Sequence, residues 1–519
     1  MISLSDSSPL SAPLLILISL PIFWCLCMLF TKSFNKTPPM PPGPRGLPIV
    51  GFLPFLRPDM HIQFTELARQ YGPVYKLWLG TKLCIVISSP SLTKEIVRDH
   101  DTNFANRGST VAGRIGSYNG NDIAFCPYGS SWRTRRKLFV HDMLSNRSLD
   151  ATFDLRKDEV RKVIRNIYTK INTPVKVWEL ASGISLNAIM SMVWGNTIEG
   201  ERKDKIGAAV SSLVARSFDL LGRPNVSDYF PVLARFDIQG VEKELSSIMQ
   251  RVDEIFEDII NERTKISSGK FGGGGNKNGG RLDFLQMLME LSEKQDVNTE
   301  FGKTQIKAMI MDIIIGGAAT SSTTIEWVMV EFMRNPEVME KVHKELNEVV
   351  GLDNVVEEFH IPKLVYLDVV IKETLRIHPV GPFLSPRTPS QSCTVGGYSI
   401  PKGPMVFINV HSIHKDPLSW DNPLEFVPER FLGNYEKWNF SGNNFNYIPF
   451  GSGRRICAGL PLAERLLRYL LASLLHSFDW QLPKGEKVDI EDRFEFVLRK
   501  KNPLVAIPSP RLSNKNLYV

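Results

Sequence analysis

The chain has 519 residues, 43% of them hydrophobic and 23% charged, and a formal net charge of +7. That balance excludes a disordered or fibrous protein and leaves apolar side chains for a large core. The charge excess is mild and forms no basic arm, so no nucleic-acid partner is expected. Six cysteines, at 25, 27, 84, 126, 393 and 457, show neither a disulfide framework nor zinc spacing, which suits a reducing compartment.

Along the chain, Leu10 to Phe30 carries no charge and is long enough to span a bilayer as a helix. Asp6 before it and Lys32 and Lys36 after it argue against a cleaved signal and favour a cytosolic body. Residues 1–31 are therefore expected to be a membrane anchor, although Pro13 and Pro21 leave a re-entrant or surface-lying segment open. Residues 32–60 hold the Pro-rich run Pro38 to Gly51, which reads as a stiff hinge because proline fixes φ and removes backbone donors. No long linker or repeat divides residues 61–519, so one catalytic domain is expected there.

Within that domain, alternation marks Val74 to Leu79 and Cys84 to Ser88 as strands. The basic cluster Arg133, Arg135, Arg136 and Lys137 reads as a solvated face or a docking face for an acidic partner. Apolar residues recurring at three and four predict helices over Glu242 to Arg263, Ile306 to Met333, Val338 to Val350 and Lys363 to Ile377. Gly269 to Gly280 reads as a flexible surface loop, since no Gly-Lys-Ser/Thr follows that would make it a phosphate cradle. Further strands are expected between Val395 and Ile408, and a last long helix over Leu460 to Phe478. The fold class is mainly α with a small β lobe.

The most informative segment is FGSGRRICAG, from Phe450 to Gly459. Gly451 and Gly453 permit a tight turn that aims backbone amides at the sulfur of Cys457, and the helix that follows brings its positive end toward the same atom. Such surroundings stabilise a thiolate, although a buried structural cysteine would fit this decapeptide alone. Two other segments stand out: KETLR, with Glu373 and Arg376 three apart on one helical face, and PERF, from Pro428 to Phe431. A third, WRTRR, places Trp132 and Arg136 four apart on a helix.

Together with Cys457, these segments resemble the cytochrome P450 superfamily in content, order and spacing over nearly the whole chain. The resemblance implies a cytochrome P450 fold and a haem b whose iron is held by Cys457. It also implies a buried charge network of Glu373, Arg376 and Arg430. By the same resemblance, Trp132, Arg136, Arg387 and Arg455 hold a haem propionate, and Phe450 and Gly451 bind the cofactor as part of the cysteine loop. An NADPH–cytochrome P450 reductase is implied as electron donor, consistent with the lack of a dinucleotide or flavin motif here. The anchor and the PPGPRG hinge resemble endoplasmic-reticulum members. Finer stretches such as YGPVYKLWLG and NDIAFCPYG are similar to a plant family that includes a sesquiterpene (cadinene) hydroxylase. That likeness favours a hydrophobic, terpenoid-like substrate and leaves a phenolic one open.

The same comparison exposes a departure. In GGAATSS, from Gly316 to Ser322, the superfamily pattern assigns Gly317 to local opening of the helix and Thr320 and Ser321 to the oxygen side, but the acid of the pattern is replaced by Ala319. Ordinary hydroxylation with the relay supplied otherwise is one reading. An atypical reaction, such as rearrangement, ring formation, coupling or reductase-independent isomerisation, is the other. Asp312 is not an obvious substitute, lying roughly 12 Å from Thr320 along the helix and about 80° around it. By family position the pocket is lined by Phe104 to Ile123, Ile313 to Ala318, Val380 to Leu384 and Phe494 to Val497.

Overall fold

The computed structural model describes residues 38–195, 197–198, 200–267, 283–294, 301–433 and 437–519. The expected anchor and the Gly269 to Gly280 loop lie outside the described residues. The body is built from long helices: α1 (Met60–Tyr71), α2 (Ser130–Lys137), α3 (Phe153–Tyr168), α4 (Val177–Trp194), α5 (Gly200–Gly222) and α6 (Val241–Ser267). They continue with α7 (Lys303–Arg334), α8 (Pro336–Val349), α9 (Val365–Ile377) and α10 (Leu460–Ser477).

At the centre lies α7, which is apolar on nearly every face, as a helix must be to run through a core. It begins where the Gly302 amide donates to Gln305 Oε1 (2.9 Å). It ends at Asn335, followed by Pro336 in the first turn of α8, where a missing amide is harmless. By length and composition α7 is also able to cross a membrane, but 72% of its most apolar window is buried inside the protein. Helices α4, α8, α9 and α10 pack around it.

The β lobe is a five-stranded sheet formed by β1 (Val74–Leu79), β2 (Lys82–Ile87), β3 (Asn106–Arg107), β4 (Arg387–Thr388) and β5 (Met405–Ile408), in the order β1-β2-β5-β4-β3. Strands β1 and β2 form a hairpin through Gly80, at φ +58°, and β2 runs parallel to β5. The expected strand region from Val395 to Ile408 is broken by turns at Gly396, Gly397 and Gly403, all at positive φ, so that Cys393–Val395, Tyr398–Ile400 and β5 are separate short strands. From residue 38 the Pro-rich segment lies against this sheet. Pro42 accepts from the Lys76 amide (2.8 Å), Pro39 from the Ser399 amide (2.9 Å) and Pro41 from Lys76 Nζ (2.6 Å). A Cβ on Gly43 would come within 1.9 Å of the Lys76 carbonyl oxygen, so only glycine lets the strap lie this close.

Candidate active site

The cysteine turn is set by backbone geometry. Gly451 and Gly453 have φ of +76° and +69°, and a Cβ on Gly453 would stand 2.5 Å from the Val97 carbonyl oxygen. The Cys457 amide donates to the Phe450 carbonyl (2.9 Å), closing the loop just before α10. Phe450 is fixed in turn by edge-on contact with Phe440, ring centres 5.0 Å apart. Burial pushes the Cys457 thiol up, while the amides of Gly459 and Leu460 and the charge of Arg136 pull it down. Although it lies deep in the molecule, the Cys457 side chain is accessible, so it opens onto an internal cleft. Donors and positive charge converging on a desolvated sulfur fit a thiolate neutralised by a metal ion.

Around this turn the expected arginines come together. Arg455 donates from Nε to Ala105 O (2.6 Å), from Nη1 to Ile123 O (2.9 Å) and from Nη2 to Cys126 O (2.5 Å). Arg136 donates to Ile456 O (2.7 Å) and Arg387 to Ser452 O (2.7 Å). The Trp132 indole donates to Ile123 O (3.1 Å), and its ring lies beneath the guanidinium groups of Arg455 and Arg136. Burial lowers the pKa of Arg387 and of Arg455 to about 10 each.

A fourth arginine was missed by sequence reasoning. Arg107 pairs directly with Arg387 across β3 and β4 and donates to the carbonyls of Ser385 (2.5 Å) and Pro386 (3.2 Å). Burial, followed by the charges of Arg387, Arg455 and Arg136, drives its pKa far down. Four mutually repelling guanidinium groups, with Arg387 Nη1 at 3.5 Å from Asp101 Oδ1, form a seat that fits an anion with more than one carboxylate, as a porphyrin is. By contrast, Arg135 of the expected basic cluster is buried and donates to Cys126 Sγ (2.9 Å) and Asn121 Oδ1 (3.2 Å). Only Arg133, Lys137 and nearby Arg454 remain as an outward basic face.

Helix α7 carries a stretch that is accessible although the helix is buried, at Gly316, Gly317 and Thr320. Gly316 is exposed in the middle of this buried helix, and a Cβ there would meet nothing within 4 Å. One turn on, Thr320 Oγ1 donates to Gly316 O (2.6 Å), so the two residues share the face toward the cleft. Gly317 lies on a neighbouring face, where a Cβ would come 2.5 Å from Ile189 Cδ1 of α4, so this glycine serves close helix packing. Ser321, one turn after Gly317, is buried on that same side, and Ala319 is packed into the core.

The charge network behind the cysteine loop is complete. Arg376 donates to Glu373 through Nε (2.6 Å) and Nη2 (2.8 Å), and Arg430 Nε donates to Glu373 Oε1 (3.0 Å). Arg376 also binds the carbonyls of His414, Pro423 and Glu425. His414 accepts from the Ile448 amide (3.0 Å), two residues before Phe450, so the network reaches the loop directly.

Comparison with known proteins extends the match along the chain. Residues 41–507 fit the cytochrome P450 family model. The flavonoid 3'-monooxygenase of Petunia hybrida is 35% identical, covering 95% of this chain and 96% of its own. The 3,9-dihydroxypterocarpan 6A-monooxygenase of Glycine max is 34% identical, covering 94% and 96%. Among solved structures, a zebra fish cytochrome P450 with progesterone superposes at a TM-score of 0.75 with 25% identity, covering 88% of this chain and all of that one. A match of this extent, falling on a cysteine turn and an arginine seat already suited to haem, means that the chain belongs to the cytochrome P450 family and is a haem monooxygenase whose iron takes a cysteine thiolate.

Proposed function

We propose that this chain hydroxylates a hydrophobic phenolic compound of the flavonoid class, with Cys457 as the iron ligand. Arg107, Arg136, Arg387 and Arg455, with Trp132, hold the porphyrin carboxylates. The single observation that carries the haem assignment is the convergence of Arg107, Arg136, Arg387 and Arg455 beside Cys457, the one exposed cysteine among the described residues. The names of the relatives support a phenolic substrate and lend nothing to the terpenoid-like one favoured by the finer sequence likeness. Bound haem supplies oxygen activation. The chain itself fixes the sulfur, seats the carboxylates and presents the Thr320 hydroxyl to the cleft, while Gly317 leaves room for Ile189 of α4 against α7.

By the same reading, residues 1–31 anchor the protein in the endoplasmic-reticulum membrane, residues 32–60 form the hinge and residues 61–519 the cytosolic catalytic domain. Electrons come from NADPH through a separate reductase that docks on the basic face of Arg133, Lys137 and Arg454. An atypical reaction remains as a second reading because no carboxylate occupies position 319. Reduction under carbon monoxide should give the strongly red-shifted band of a thiolate-ligated haem, and Cys457→Ala should abolish it. Reductase-dependent NADPH consumption with added flavanone should yield a hydroxylated product. A Cys457→Ala protein that keeps both band and turnover would sink the assignment.

A further inference from the structure

Asp312 sits on α7 one turn before Gly316 and is among the few residues of that helix left partly accessible. Its Oδ2 accepts from the Ile123 amide (2.7 Å), and the neighbouring Ala124 amide helps to favour the charged carboxylate. The next acid, Asp122, closes the same loop on itself by accepting from the amides of Phe125 and Cys126 (2.9 Å each). This short loop is engaged from its other side as well. Its Ile123 and Cys126 carbonyls receive Arg455, Ile123 also receives Trp132, and Ala124 receives Arg107. One carboxyl group thus joins the helix that carries Thr320 to the loop that receives Arg455, Arg107 and Trp132.

We propose that Asp312 is a positioning residue that hangs the Asp122–Cys126 loop from α7, fixing at once the substrate-facing edge of the cleft and the setting of Arg455. The proposal rests on the reading of the site given above. Without its carboxyl, the Ile123 amide loses an acceptor that no neighbouring carbonyl replaces in the present geometry. The loop then moves relative to Thr320, and a substrate lying between them shifts against the reacting centre. Burial and the charge of Asp122 drive the pKa of Asp312 far up, with the loop amides and Arg135 opposing, and Asn keeps the shape of the side chain and one acceptor oxygen.

The test compares Asp312→Ala and Asp312→Asn in the full-length, haem-loaded protein, with the flavanone naringenin as probe. In the Ala variant, hydrogen–deuterium exchange of the peptide spanning residues 121–127 should speed up on the order of tenfold. Naringenin binding should weaken on the order of tenfold and the ratio of hydroxylated products should change. In the Asn variant, which keeps an acceptor oxygen, both should return most of the way, and the carbon monoxide band should keep its position in both. If Asp312→Ala does not fold, Asp312→Ser, which withdraws the acceptor but stays polar, is read in its place. Wild-type exchange and wild-type product ratio in the Ala or Ser variant would overturn the proposal. A wild-type protein without the thiolate band would instead defeat the site assignment, while the exchange comparison still decides the role of Asp312.

Discussion

At position 319 the helix facing the cleft carries a methyl group where the superfamily pattern has a carboxylate, and that methyl is packed, only 8% exposed. One turn further along the same face lies Thr323, fully buried, whose hydroxyl has no hydrogen-bond partner among the described residues. A carboxyl introduced by Ala319→Asp would therefore find a donor within reach on its own helix, and its burial would hold part of it neutral near pH 7. We expect Ala319→Asp to raise the product formed per NADPH and to lower peroxide release without changing the product, because a titratable group beside Thr320 improves proton supply. A gain of about 2- to 10-fold in coupling is the scale set by general acid catalysis working below its full range. Measuring peroxide and product together over pH 6 to 8, with Ala319→Glu as a second length, checks this. If the native product falls and a different one appears, the atypical reading gains. Unchanged coupling in both acidic variants, with haem intact, removes position 319 from oxygen activation.

Among the elements, α7 helps to tie the helical body to the C-terminal strands. Glu326, near its far end, accepts from the Leu504 amide (2.9 Å), and burial pushes its pKa up to about 7. Because the folded value lies above the ordinary one of 4.5, folding favours the protonated form. That contribution is complete at low pH and is lost as pH rises through the folded pKa. Glu326→Gln keeps the acceptor and removes the titration. Relative to wild type it should gain on the order of 2 to 3 kcal/mol in stability between pH 5 and pH 8, whatever fixed offset the amide brings. Denaturant unfolding at the two pH values reads this directly, and equal differences at both would refute it. Much at this scale was legible in the sequence. Val74 to Leu79 emerged as β1, and Ile306 to Met333 lies within α7, because each pattern is local. The turn at Cys457 was legible for the same reason, its glycines standing beside the cysteine. Arg107 and Asp312 were not: the strand partner of Arg107 is Arg387, and the loop amide that Asp312 receives lies 189 positions away. No local pattern announces such pairings. The side of α7 that Ser321 faces was likewise hidden until Ile189 was found against Gly317.

For the molecule as a whole, the proposed cytosolic orientation has a chemical signature. Asn146, Asn225 and Asn439 each begin an Asn-X-Ser sequon. Asn225 is buried and caps a short helix, so a glycan there would be incompatible with this fold. Asn146 and Asn439 are exposed and would be modified in a lumenal body. Treating the microsomal protein with glycosidase should leave its mass unchanged, and a loss of mass would reverse the orientation. The burial of α7 has a further consequence during synthesis. Its packing partners α4 and α10 lie on opposite sides of it in the chain, so when α7 leaves the ribosome only the first has been made. At 5 to 20 residues per second, the last residue of α10 follows about 140 residues and roughly 7 to 28 seconds later. Throughout that interval a segment apolar enough to cross a membrane stands incompletely covered, which makes nascent chains ending between α7 and α10 the forms of this protein most dependent on chaperones.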